Sequence, residues 1–211
     1  MKTTAATLTN LQAKPRAASW RVYVPLTKPT ISLLVVVTAV PTMLLAAHGM
    51  PQLVVAMAAL LGTYLASASA SVFNHLLDAD LDAVMNRTRG RPMPAGQVSR
   101  PAAFLLGTLL GAVSLVVLYR FTTPLAATVG LLANAFYVLI YTLCLKRYTD
   151  QNIVIGGAAG AVGPLIGWAA VTGHIAWPAW VLFAVIFLWT PPHFWALAIK
   201  YKKDYASAGV P

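Results

Sequence analysis

Six apolar runs dominate this chain and leave it few ways to fold. They cover roughly Thr30–His48, Leu53–Leu77, Ala102–Leu118, Pro124–Leu145, Ile153–Thr172 and Trp177–Ile199. Each is long enough to cross a hydrocarbon core as a helix, and a helix satisfies its own backbone polar groups there. The expected fold is therefore all-α, a polytopic transmembrane helical bundle with six spans in this chain. Composition agrees: 59% of residues are hydrophobic and 9% charged, which excludes an ordinary soluble domain.

A net charge of +10 invites a nucleic-acid reading, but the placement of the charge removes it. With a cytoplasmic N-terminus, all 15 Lys and Arg except Arg120 fall on the inner side, the positive-inside arrangement. The basic balance thus describes topology and attraction to anionic lipid, so the bilayer is the expected partner and no nucleic acid is. Residues 1–29 are expected to form a basic cytoplasmic tail and residues 30–211 the transmembrane domain. The first twenty residues also have the acid-free, Ser/Thr-containing composition of a transit peptide. A bacterial cell inner membrane is the expected location, with the mitochondrial inner membrane as the alternative. The single cysteine, Cys144, sits in an apolar run; it is expected to be buried and excludes an intrachain disulfide and a cysteine metal site.

All five acidic residues are Asp, and three of them fall within five positions, in Asn74-His75-Leu76-Leu77-Asp78-Ala79-Asp80-Leu81-Asp82. At about 100° per residue, Asn74, Asp78 and Asp82 climb one helix face in steps of about 40°. Thr63, Ser67 and Ser71 continue the stripe upstream, whereas Asp80 points elsewhere. Like charges one turn apart repel, and at a helix C-terminus they also meet the wrong end of the dipole. A cation is expected among them. Mg2+ suits, because it takes one or two carboxylates and completes its shell with water and phosphate. Arg87 and Arg91, just downstream, have forked donors for the same phosphates. The plainer alternative is a solvated helix end with a basic loop that only sets topology.

Further features lie along the other spans. Lys28 precedes Pro29 and is expected to reach the headgroup level. Asn134, Tyr137 and Tyr141 share a face of the fourth span that leads to Lys146 and Arg147, and either line a cavity or satisfy a neighbouring helix. Gly156/Gly160 and Gly163/Gly167 are small-xxx-small pairs that permit close helix packing. Pro191 and Pro192 free the carbonyls of Phe187 and Leu188, which predicts a break in the sixth span immediately before His193.

Taken together, Asn74-x3-Asp78-x3-Asp82-x2-Met85-x-Arg87-Thr88-x2-Arg91-Pro92 resembles the signature of the UbiA-type intramembrane prenyltransferases, in its haem-farnesylating branch. Segments Leu26–Pro29, Tyr141–Arg147, Asn152–Gly157 with Gly167-Trp168, and Pro192–Trp195 with Asp204-Tyr205 are similar to that branch as well. The resemblance implies a bundle around a lipid-open cavity and transfer of a farnesyl group from farnesyl diphosphate to a vinyl group of haem b, with Mg2+ as cofactor. It implies that Asn74, Asp78 and Asp82 form the first metal–diphosphate motif and Asp204 the remaining acid of the second. Arg87, Arg91, Lys146, Arg147, Lys200 and Lys203 would bind diphosphate, and His193, Trp195, Tyr137, Tyr141 and Asn134 would line the haem cavity. Two departures stand out: Asp204 lies among lysines where the superfamily has an acid pair, and the family usually has about nine spans. A fragment is therefore expected. Within the class, an aromatic quinone precursor is the alternative acceptor; from another class, a cation transporter also uses acids on a broken-helix bundle. A partner protein that hands over haem leaves no signature in the sequence.

Overall fold

The computed structural model describes residues 19–209, so residues 1–18 of the expected tail lie outside the described residues. The chain is a helical bundle built from α1 (Pro29–Ala46), α2 (Leu53–Leu77), the short α3 (Ala79–Val84) and α4 (Arg100–Phe121). Next comes α5 (Pro124–Ala135), which continues as a π-helical stretch, Phe136–Leu145, and the single turn α6 (Lys146–Tyr148). The remaining elements are α7 (Asn152–Gly160), α8 (Gly163–Thr172), α9 (Trp177–Lys200) and α10 (Lys202–Ser207). Among the described residues, six helical segments are long and apolar enough to cross a membrane, and they match the six apolar runs.

α2 packs against α4 most extensively and also against α1, α5 and α8. Lipid tails are as apolar as Leu, so helices here associate through close packing and hydrogen bonds more than through burial of apolar area. The contacts follow that rule. Ser69 Oγ donates to the Gly107 carbonyl at 2.8 Å and Ser114 Oγ to the Gly62 carbonyl at 2.7 Å, tying α2 to α4. Thr123 Oγ caps α5 by accepting from the Ala126 amide at 3.1 Å and donates to Ala169 O at 2.8 Å. At Gly167 on α8 the α1 backbone comes so close that a Cβ would lie 2.7 Å from Ala39 O. The Gly163/Gly167 pair is therefore a helix-packing device. Gly156/Gly160 is not: Gly156 faces the Tyr141 ring, and Gly160 has open space.

Several local expectations change. The fifth span is two helices, because Pro164 has no amide to donate to the Gly160 carbonyl and α7 ends there. The sixth span, expected to break, is helical without interruption through Pro191 and Pro192. Cys144 is exposed on the outer face of the bundle, not buried. Val24–Thr27, within the segment expected as a tail, forms a 3-10 turn whose Leu26 is buried against Val72, Leu76 and Met93. That turn delivers Lys28 in a left-handed backbone conformation (φ 44°), uncommon outside glycine, and the side chain turns inward, not toward the headgroups.

Candidate active site

α2 ends at Leu77, and Asp78 sits in a non-helical conformation before α3 begins. The main-chain spacing nevertheless persists, with the Asp78 amide donating to Asn74 O at 2.9 Å and the Asp82 amide to Asp78 O at 2.8 Å. Asn74, Asp78 and Asp82 therefore remain a ladder, and all three are buried. Asn74 Nδ2 donates to Asp78 Oδ2 at 2.7 Å and reaches Thr142 Oγ1 at 3.3 Å. Thr142 in turn donates to Tyr137 O, five residues back, as the π register requires.

Basic side chains close on this ladder from three directions. Lys28 Nζ donates to Asn74 Oδ1 at 2.7 Å, and Lys146 Nζ to Asp78 Oδ2 at 2.5 Å. Arg91 Nη1 donates to both oxygens of Asp82, at 2.9 and 2.7 Å. Burial, with Arg91 and Lys146 nearby, pushes the Lys28 ammonium down to about 8. His75, also buried, places Nδ1 3.9 Å from Asp82 Oδ2.

The ladder stands at the charged end of a cavity of about 1380 Å3 lined by α1, α2, α5, α7 and α9. Its wall is charged and polar near Lys28, Asn74, Asp82, Arg87, Arg91 and Lys146, and mainly apolar or aromatic deeper in, where the Thr63, Ser67 and Ser71 stripe of α2 also faces it. Tyr137 and Tyr141 line it together, their ring centroids 5.1 Å apart. Trp189, His193 and Trp195 line the α9 side, with His193 stacked on Trp189 at 4.3 Å. Asn134 combines both sequence readings, since it lines the cavity and donates to Ala66 O at 2.9 Å.

Other expected site residues lie elsewhere. Arg147 points away from the ladder, donating to both oxygens of Asp80 at 2.9 Å and to Leu77 O at 2.9 Å, which clamps α6 to the α2–α3 junction. The Arg147 hydrogen bonds hold the Asp80 carboxyl below its ordinary pKa. Asp204 accepts from the Arg87 amide at 3.2 Å and from Asn86 Nδ2 at 3.4 Å, so it fastens α10 to the loop after α3. The Arg87 guanidinium lies 5.2 Å from the Tyr201 ring. Lys200 and Lys203 are outside the cavity wall, whereas Lys202, not expected, is part of it. Lys28, His75 and Thr142 also escaped the sequence reading. Lys28 looked like a headgroup anchor, His75 lies off the ladder stripe, and Thr142 reaches Asn74 only through the π register.

The donor set fits a divalent cation. Asp78 Oδ1 is buried without a hydrogen-bond partner, and the ladder presents only hard oxygen and amide groups. Among the described residues no three Asp, Glu, His or Cys side chains converge, so an ion here would take at most two carboxylates from the protein. That is the share Mg2+ ordinarily takes beside a phosphate substrate.

Residues 34–211 match the UbiA prenyltransferase family, and the chain belongs to that family. It is a multi-pass membrane protein. It is 51% identical over 197 residues to protoheme IX farnesyltransferase 1 of Saccharopolyspora erythraea, covering 93% of this chain and 63% of that protein. Against protoheme IX farnesyltransferase of Gloeobacter violaceus it is 52% identical over 189 residues, covering 90% and 62%. The chain thus spans just over three fifths of the length of these relatives. Among solved structures it resembles a UbiA homolog from Archaeoglobus fulgidus bound to DMAPP and Mg2+, with a TM-score of 0.73, 18% identity, and coverage of 89% of this chain and 66% of that one. At that identity the likeness concerns the fold.

Proposed function

We propose that the protein transfers the farnesyl group of farnesyl diphosphate to a vinyl group of protohaem IX, at the cytoplasmic end of a bacterial inner-membrane bundle. The observation that carries this reading is the junction of two environments in one cavity: a buried Asn/Asp ladder ringed by cations, opening onto an apolar, aromatic hollow. About 1380 Å3 exceeds the usual range for one small-molecule site, in keeping with a prenyl chain and a porphyrin side by side. The resemblance of the motif to the haem-farnesylating branch and the names of the relatives above favour haem over a quinone ring.

Asn74, Asp78 and Asp82 would hold Mg2+. When bound, that ion neutralises the leaving diphosphate and lowers the barrier to breaking the allylic C–O bond. Lys28, Arg91 and Lys146 stand beside the same oxygens and take up the remaining phosphate charge. The apolar wall keeps bulk water from the allylic cation, and the faces of Tyr137, Tyr141 and Trp189 stabilise it by ~1–2 kcal/mol each when desolvated. The vinyl carbon of haem then forms the new C–C bond. The resulting cation beside the porphyrin takes up water and loses a proton to give the hydroxyl. Arg147 and Asp204 act at one remove, holding the loops that carry the ladder and Arg87.

Mass spectrometry of haem extracted from cells with and without the full-length protein tests the reading. A farnesylated haem that depends on the protein and disappears in Asp78→Asn, with the variant still folded in the membrane, is the expected result. Unchanged product from Asp78→Asn would exclude this chemistry at the ladder, and a prenylated quinone precursor would replace the acceptor.

A further inference from the structure

Each rung of the Asn74–Asp78–Asp82 ladder carries its own basic partner, and each partner comes from a different part of the chain. Lys28 arrives from the N-terminus of α1 on a left-handed residue. Lys146 comes from the far end of the π-helical stretch and meets Asp78, whose side chain is fully buried. Arg91 comes from the loop after α3 and engages Asp82 through both oxygens. A buried carboxylate left without a counter-charge is strongly destabilising. The contacts of Lys146 and Arg91 therefore balance the two carboxylates, and the three contacts together occupy Asn74 Oδ1, Asp78 Oδ2 and both Asp82 oxygens, leaving Asp78 Oδ1 as the one unpartnered oxygen of the ladder.

We propose that Lys28, Arg91 and Lys146, one beside each rung, form an internal counter-ion set for the two carboxylates that disfavours a bare divalent cation at the ladder and transfers to the phosphate oxygens when a prenyl diphosphate arrives. The inference rests on the diphosphate reading above and adds a binding order and a role for Lys28. A bare ion would have to shed water, which Mg2+ does reluctantly, and displace ammonium and guanidinium groups already seated on the ladder oxygens. A diphosphate gives those groups new acceptors. Lys28 and Lys146 can swing on flexible stems, and the fork of Arg91 matches phosphate as well as it matches carboxylate. Metal and diphosphate then bind as a unit, each raising the affinity for the other by the same factor.

Binding of Mn2+, followed by electron paramagnetic resonance on the full chain in lipid nanodiscs, tests this with farnesyl thiolodiphosphate as the unreactive substrate. After correction for metal complexed in solution, wild type should bind Mn2+ at least about tenfold tighter with the thiolodiphosphate than without it. Lys146→Met should bind Mn2+ alone about tenfold tighter than wild type does and lose most of the synergy. Adding Asp78→Asn to Lys146→Met should cancel that gain, because the carboxylate set free is itself gone. Tight Mn2+ binding by wild type without the thiolodiphosphate would overturn the counter-ion set while leaving the diphosphate reading intact. So would a well-folded Lys146→Met with no gain. If Lys146→Met fails to fold, the wild-type comparison with and without thiolodiphosphate still decides. Absence of Mn2+ binding to wild type even with the thiolodiphosphate would overturn this inference and the diphosphate reading together.

Discussion

Substituting Gly167 by Ala should destabilise the bundle at one identifiable contact. A Cβ on Gly167 would lie 2.7 Å from Ala39 O, 3.2 Å from Ala39 Cβ and 3.3 Å from Ala39 Cα. A relaxed C···O contact is about 3.3–3.6 Å, so α1 and α8 would have to separate by roughly 0.6–0.9 Å. The obstacle is backbone, which has no rotamer to escape into, and overpacking of this kind costs about 1–3 kcal/mol. Gly160→Ala is the matched control. It places the same methyl group in open space, so it should be neutral or stabilising by up to about 1 kcal/mol through helix propensity. Thermal unfolding of both variants in lipid nanodiscs, followed by tryptophan fluorescence, separates them. Equal shifts for the two, or a stable Gly167→Ala, would refute close α1–α8 packing as the basis of that interface. Since α1 carries Lys28 at its start, Gly167→Ala should also weaken binding of farnesyl thiolodiphosphate.

Three further outcomes are expected. The folded-state pKa of Lys28 is depressed to about 8, below the ordinary lysine value of 10.5, so the folded state loses this proton first. Stability should rise with pH between those two values, and Lys28→Met should flatten that slope in unfolding measured across the interval. Asp80 has the opposite sense: its folded pKa is lowered, so its ion pair with Arg147 contributes above the unfolded value of about 3.9 and is lost as pH falls through the folded one. Because Asp80 is well exposed, Asp80→Asn should cost under about 1 kcal/mol at neutral pH, and added salt should shrink the difference. Thr123→Val should cost about 1 kcal/mol in the same unfolding assay, since it removes the α5 cap and the hydrogen bond to Ala169 O together.

The spans, the charged end and the Asn74/Asp78/Asp82 spacing were all legible in the sequence, because they depend on local periodicity and on how lipid treats backbone and charge. Gly163/Gly167 was legible for the same reason: a spacing of four puts both residues on one helix face. The reading that Pro191 and Pro192 break the sixth span did not hold, because a missing amide weakens a helix without having to end it. Cys144 was misplaced because an apolar run in a membrane protein faces lipid as readily as core.

The order of residues along the chain determined that there would be a lipid-embedded bundle with a carboxylate ladder at one rim. What the order could not determine is which cation faces which rung. Lys28, Arg91 and Lys146 are separated by dozens of positions, and their meeting depends on a left-handed residue, a π-helical register and helix crossings that only the packed bundle sets. Arg147, adjacent to Lys146, shows the difference most clearly: one residue along the helix turns its guanidinium to Asp80, away from the cavity. Propensity and spacing act over a few residues, whereas the direction of a long side chain at a helix end is fixed by whatever the rest of the fold has brought beside it.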